Sequence, residues 1–90
     1  MTAIPSRPRP VADTVYRDLA EGGVVLHLGS GEYHGVNPVG ALIWSLLDGT
    51  RTVPEVAAAL NDRVEHPPPE LETDVSTFVA ELRDRGLLAD

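Results

Sequence analysis

The sequence predicts an α+β fold, a winged helix-turn-helix in which a three-stranded antiparallel sheet is followed by three helices. Apolar residues alternate with a period of two in the first third of the chain, and the period changes to that of a helix after Asn37. Glycine and proline separate the segments. Ninety residues suffice for one domain with a modest core. We expect a disordered or loosely ordered tail over residues 1–10 and a single domain over 11–90.

Three segments are predicted strands, and the third lies at an edge of the sheet if their order is sequential. They are Thr14–Leu19, Gly23–Leu28 and Glu32–Val36. The glycines of the loop 29–31 can supply the positive φ of a tight hairpin. Neither proline nor lysine guards the third strand, and such an edge is free to pair with another chain.

Capping residues predict where the first two helices begin. Asn37 is a strong N-cap type and is followed by proline, which fits a first helical turn, so the first helix is predicted over 38–48. Thr52 and Glu55 have the spacing of a capping box and begin the second helix. Three prolines at 67–69 end it, because proline cannot continue a helix.

The third predicted helix is amphipathic and ends at Gly86. Its apolar positions recur at helical spacing and are Leu71, Val75, Phe78, Val79 and Leu82. If this helix lies beside the third strand, the two elements form the walls of a groove suited to strand addition by an extended peptide. Val75 and Leu82 could equally belong to the core, whereas we expect Phe78 at the border between core and groove.

Charge and motif content argue against several function classes. The net charge is −7 and the seven arginines are scattered, whereas nucleic-acid binding requires clustered cations. The chain has no cysteine, and its three histidines lack metal-ligand spacing. No catalytic serine motif or phosphate-binding loop is present, so we predict no enzymatic activity, no metal and no cofactor. No apolar run is long enough for a membrane span, and a cytoplasmic location is expected.

Four segments of the sequence resemble the PqqD family. They are Gly23-Val24-Val25-Leu26, the run Gly31-x-Tyr33-x-Gly35-Val36-Asn37-Pro38-x-Gly40-x-x-Ile43-Trp44-x-Leu46-Leu47-Asp48-Gly49, the run Thr52-Val53-x-Glu55-Val56, and Asp74-Val75-x-x-Phe78-x-x-x-Leu82-x-x-x-Gly86-Leu87-Leu88. The resemblance covers about residues 11–89 and is most specific from Tyr33 to Trp44. This family provides the RiPP recognition element, a small winged-helix domain that binds the leader segment of a ribosomally made precursor peptide. The Tyr-x-Gly-x-Asn-Pro-x-Gly pattern is most similar to the stand-alone recognition proteins of lasso peptide biosynthesis.

The resemblance implies a non-catalytic protein that holds a precursor leader peptide antiparallel to the third strand, in the cleft beside the third helix. Carried over to this sequence, the leader-binding residues are Tyr33, His34, Gly35, Val36, Asp74, Val75, Phe78, Val79 and Leu82. It also implies two further partners, a cysteine-protease leader peptidase and an asparagine-synthetase-like cyclase. Two alternatives stay open: a PqqD-type peptide chaperone of another RiPP or quinone cofactor pathway, and a winged-helix DNA-binding regulator, which the acidic C-terminal third opposes.

Overall fold

The structure is a computed structural model that describes residues 6–89. Its elements, in chain order, are β1 (Arg9–Pro10), β2 (Thr14–Leu19), β3 (Gly22–His27), β4 (Tyr33–Val36), α1 (Pro38–Leu46), α2 (Val53–Asn61), α3 (Leu71–Asp84) and β5 (Leu88–Ala89). Strands β2, β3 and β4 form an antiparallel sheet in sequential order, and three helices follow. The predicted fold class is confirmed, and β4 lies at an edge of this sheet.

The segment before residue 11 differs from the predicted tail. Arg9 pairs with Ala89 and Pro10 with Leu88 in a second, two-stranded antiparallel sheet. Pro8 is fully buried, and its carbonyl accepts a hydrogen bond of 3.0 Å from the Gly49 amide. Strands of two residues are too short to show a periodic pattern, so this pairing left no signal in the sequence. The predicted tail over residues 1–5 lies outside the described residues.

An apolar core fills the space between one face of the sheet and the helices. Its members are Val25, Ile43, Trp44, Leu46, Leu47, Val56, Ala57, Leu60, Leu71, Val75, Val79, Leu82, Leu87 and Leu88. Tyr16 of β2 stacks on Trp44 of α1 with ring centroids 6.1 Å apart. Among the described residues, every member of the buried set is apolar, so apolar burial holds the helices against the sheet.

The helix starts agree with the predicted caps. The Asn37 side chain accepts a hydrogen bond of 2.7 Å from the Gly40 amide at the start of α1. At α2, the Thr52 amide donates to Glu55 Oε1 (2.8 Å) and the Glu55 amide donates to Thr52 Oγ1 (3.3 Å). The bond from the Thr52 amide lowers the pKa of the Glu55 carboxyl, because it favours the charged form. Two different capping devices therefore fix α1 and α2.

The pairing register assigns the residues of β4 to the two faces of the sheet. His34 pairs with Val25, which is fully buried, so His34 and Val36 lie on the face toward the helices. Tyr33 and Gly35 lie on the opposite, outer face, where Tyr33 is 74% exposed. The edge strand thus presents two chemically different faces.

Gly22 lies against the end of β4 and leaves no room for a side chain. Its φ is 118°, and a Cβ added there would overlap the Val36 carbonyl oxygen. We expect Gly22→Ala to lower the free energy of unfolding by about 1–3 kcal/mol, through backbone strain and this overlap. Urea denaturation followed by Trp44 fluorescence measures the change.

The matched control is Gly35→Ala. Gly35 has no positive φ, and a Cβ added there would meet no heavy atom within 4 Å. Its stability should equal or slightly exceed that of the parent chain, because alanine loses less backbone entropy on folding. Equal stability of the Gly22→Ala and Gly35→Ala variants would contradict the claim that the fold requires glycine at position 22 but not at position 35.

Candidate functional site

A cleft with a volume of about 490 Å³ opens between β4, the first turns of α1 and the cleft-facing side of α3. Its lining residues are Gly35, Val36, Asn37, Val39, Gly40, Ile43, Val64, Pro68, Leu71, Asp74, Phe78 and Glu81. Most of them are apolar. The charged ones, Asp74 and Glu81, are both exposed and acidic, so the mouth of the cleft carries negative charge over an apolar interior.

Gly40 lets three elements meet at the bottom of the cleft. A Cβ added at Gly40 would lie 3.1 Å from the Val36 Cβ and 3.3 Å from the Phe78 Cζ. These separations are at the short limit of carbon contacts, so a larger residue would separate α1 from α3 or fill the cleft. The sequence marks Gly40 only through the family pattern, and the close packing explains its role.

Helix α3 presents two adjacent stripes, and one of them faces the cleft. Spacings of three and four residues align the cleft stripe, which consists of Leu71, Asp74, Phe78 and Glu81. The second stripe is buried in the core, with exposures of 0%, 1% and 3% for Val75, Val79 and Leu82. The structure places these three side chains of the predicted helix wall in the core, beneath the cleft, an outcome that the sequence left open for Val75 and Leu82. Phe78 lies where it was expected, half-buried at the border of core and cleft.

The main chain of β4 alternates between the sheet and the free edge. The His27 amide donates to the Glu32 carbonyl (2.8 Å), and hydrogen-bonded pairs recur at every second residue of an antiparallel ladder. His34 and Val36 therefore bond to β3, whereas Tyr33 and Gly35 direct their N–H and C=O groups away from it. The edge offers these four main-chain groups to another chain.

His34 and Arg85 join β4 to the end of α3. The Arg85 guanidinium lies 3.0 Å from His34 Nδ1 and can donate to it when the imidazole nitrogen is unprotonated. Near the other end of the strand, Val36 meets Phe78 across Gly40. Strand β4 and helix α3 therefore run in opposite directions along the cleft.

The predicted site residues separate into three groups in the structure. Four line the cleft, namely Gly35, Val36, Asp74 and Phe78. Tyr33 contributes main-chain groups at the edge and His34 lies at the Arg85 end, while the three core residues of α3 lie beneath.

Sequence reasoning did not assign several lining residues to the site. They are Asn37, Val39, Gly40, Ile43, Val64, Pro68, Leu71 and Glu81. The spacing of Leu71, Asp74, Phe78 and Glu81 is a stripe that could have been read from the sequence. The lining residues from α1 and from the segment before α3 reach the cleft through tertiary packing, so no periodic pattern in the sequence marks them.

The described residues contain neither a cluster of metal ligands nor a membrane-spanning helix. Within residues 6–89, no group of three or more histidine or acidic side chains is placed to hold a metal ion. Over the same range, the helices are too short or too polar to cross a membrane.

This chain is similar to one protein family and to solved structures of two proteins in complex with leader peptides. The family model described as coenzyme PQQ synthesis protein D (PqqD) matches residues 22–88. The structure of TbiB1 in complex with the TbiA(beta) leader peptide is 30% identical, with a TM-score of 0.76, and the match covers 91% of this chain and 99% of that one. Lasso peptide synthetase B1 complexed with the leader peptide is 26% identical, with a TM-score of 0.78 and coverages of 94% and 100%.

A more distant match shows a shared fold alone. The heterocyclase TruD is 15% identical, with a TM-score of 0.68 over 94% of this chain and 11% of that one. The comparison with curated proteins gives no match.

The Asn37 cap is expected to stabilise the start of α1. Asn37→Ala removes the acceptor for the Gly40 amide and should lower the free energy of unfolding by about 1 kcal/mol. Asn37→Asp keeps a capping oxygen and should retain most of the stability. Urea denaturation of both variants tests this, and equal losses would show that the side-chain bond is not what stabilises the start of α1.

Proposed function

Because the chain belongs to the PqqD family, we propose that it binds the leader segment of a lasso precursor peptide as an added strand, in the cleft between β4 and α3. The observation that carries the proposal is the free edge of β4 beside an apolar cleft. Tyr33 and Gly35 supply the main-chain groups, and Phe78 supplies apolar surface within reach of the same strand. Strand addition uses this combination, with affinity from the main chain and specificity from side-chain pockets.

The two matching lasso structures support this assignment. Each structure contains a leader peptide, and each match covers more than 90% of this chain. In an antiparallel arrangement, the leader residues opposite Tyr33 and Gly35 exchange main-chain hydrogen bonds with them. The leader residues opposite His34 and Val36 direct their side chains toward α3. The residue opposite Val36 then meets Gly40 and Phe78.

The proposed role is presentation without catalysis. The bound leader leaves the remainder of the precursor free for the partners that the family resemblance implies, a cysteine-protease leader peptidase and an asparagine-synthetase-like cyclase. The cytoplasm, where precursor peptides are made, is the proposed location. The acidic mouth of the cleft and the net charge of −7 disfavour a nucleic acid as the guest.

Replacing Phe78 tests the cleft directly. We expect Phe78→Ala to weaken binding of a fluorescein-labelled lasso leader peptide by more than tenfold, because the leader loses apolar contact. Fluorescence polarisation measures the affinity. Thr77→Ala is the matched control, since Thr77 is exposed on the same helix and does not line the cleft.

Three outcomes of this experiment are informative. Absence of saturable binding by the parent chain at micromolar concentrations would overturn the proposed function. Unchanged affinity of a folded Phe78→Ala variant would place the leader elsewhere. Loss of cooperative unfolding in Phe78→Ala would show that the Phe78 side chain is needed for the core. In that case Phe78→Leu is the variant to measure, because it keeps the fold while still changing the shape of the cleft.

Methylation of single leader amides tests strand addition itself. An N-methyl group removes one hydrogen-bond donor, and Tyr33 and Gly35 lie two residues apart on the edge. We therefore expect affinity losses at two leader amides separated by two residues, with little effect at the amide between them. Equal losses at all three positions would contradict a ladder with the period of a strand.

A further inference from the structure

Gly35 is a glycine that the fold does not require. At Gly22 and Gly40 an added Cβ would meet neighbouring atoms, whereas at Gly35 it would meet nothing within 4 Å. The φ of Gly35 is also outside the left-handed region that favours glycine. Glycine inside a strand costs roughly 0.5–1 kcal/mol relative to alanine. A strand glycine often marks a place where a ligand or another chain approaches closely.

The missing side chain leaves a notch on the outer face of the sheet. Gly35 pairs with Val24, which is half-buried, and Tyr33 lies two residues away on the same face. The Tyr33 side chain is 74% exposed, so its ring is free to cover a neighbouring group. The floor of this notch is the Gly35 backbone, and its sides are Val24 and Tyr33.

The surroundings of the notch are apolar. Next to Val24 on β3 lies Leu26, paired with Tyr33 and also half-buried. The nearest charged residue along the same register is Arg17, the partner of Val24 on β2, two strands or roughly 10 Å from Gly35. An uncharged, bulky side chain therefore matches the notch better than a charged one.

We propose that this notch is a second specificity subsite, which takes a large aromatic or branched apolar side chain of the bound leader. The proposal rests on strand addition at β4. In that arrangement the leader residue paired with Gly35 directs its side chain to the outer face, with directly opposed positions about 4.5–5.5 Å apart. Its two neighbours along the leader point into the cleft. The domain thus reads both faces of the added strand, with Phe78 on one side and the notch of Gly35 on the other.

Filling the notch tests the proposal. Gly35→Ala and Gly35→Val have room for their side chains, and both residues suit a strand better than glycine. We expect unchanged or higher stability in urea, together with a loss of affinity for the labelled leader of at least tenfold for Gly35→Val. Val15→Ala is the control, because Val15 is exposed on the same face but belongs to β2, at the opposite edge of the sheet from β4.

Changing the leader residue opposite Gly35 tests whether Gly35 makes room for a leader side chain or only for the leader backbone. The amide-methylation experiment identifies the leader residue paired with Gly35, and that residue is replaced by alanine. The alanine leader should bind the parent chain at least tenfold more weakly, and Gly35→Val should then cost less than a further twofold. If Gly35→Val weakens both leaders equally, or weakens neither, the subsite is overturned.

The Phe78→Ala variant, measured in parallel, distinguishes failure of the notch proposal from failure of the proposed leader binding. If Phe78→Ala weakens binding and the Gly35 variants do not, leader binding stands and the notch is not a subsite. If the parent chain does not bind the leader, both proposals fall.

Discussion

The hydrogen bond from the Gly40 amide to the Asn37 side chain, 2.7 Å long, sets where β4 ends and where α1 begins. Asn37 keeps extended backbone angles, and the next residue is already helical, so Asn37 alone connects the two elements. The first turn of α1 therefore brings Gly40 against Val36 and the Phe78 ring. Gly22 approaches the same junction from β3 and leaves no space for Val36 to move back. The edge of β4 and the cleft depend on this one turn of the chain.

The angular position of each residue on α3 decides whether its side chain packs in the core or lines the cleft. The core stripe holds the helix against the rest of the domain, while the neighbouring stripe keeps Asp74, Phe78 and Glu81 accessible. Leu71 belongs to both, since it is 7% exposed and also lines the cleft. A 90-residue domain has little apolar surface to spare. Placing both roles on one helix lets the core itself define the wall of the cleft.

Strand positions and helix caps were predictable from the sequence, whereas the neighbours that each helix face contacts were not. Strand β2 has its predicted bounds, and Asn37 and Thr52 cap their helices as their residue types indicate. Helix α1 was predicted to residue 48 but ends at Leu46, where the Leu47 amide turns back to the Trp44 carbonyl. Helical periodicity reveals that α3 has an apolar stripe but not which neighbour it meets. The residues alone therefore left Val75 and Leu82 open between core and cleft, and the family resemblance assigned them, with Val79, to the binding wall.

The shortness of the free edge makes side-chain recognition necessary. Within β4, only Tyr33 and Gly35 direct main-chain groups outward, and the carbonyl of Asn37, the next residue in that alternation, already accepts a hydrogen bond of 2.8 Å from the Ala41 amide. So few hydrogen bonds hold another strand weakly, which protects the protein from indiscriminate pairing. The net charge of −7 further opposes the pairing of two copies. A peptide that binds here must therefore gain its affinity from side chains on one or both faces. Gly35, which the fold does not require to be glycine, lies where the outer face of such a peptide would contact the domain.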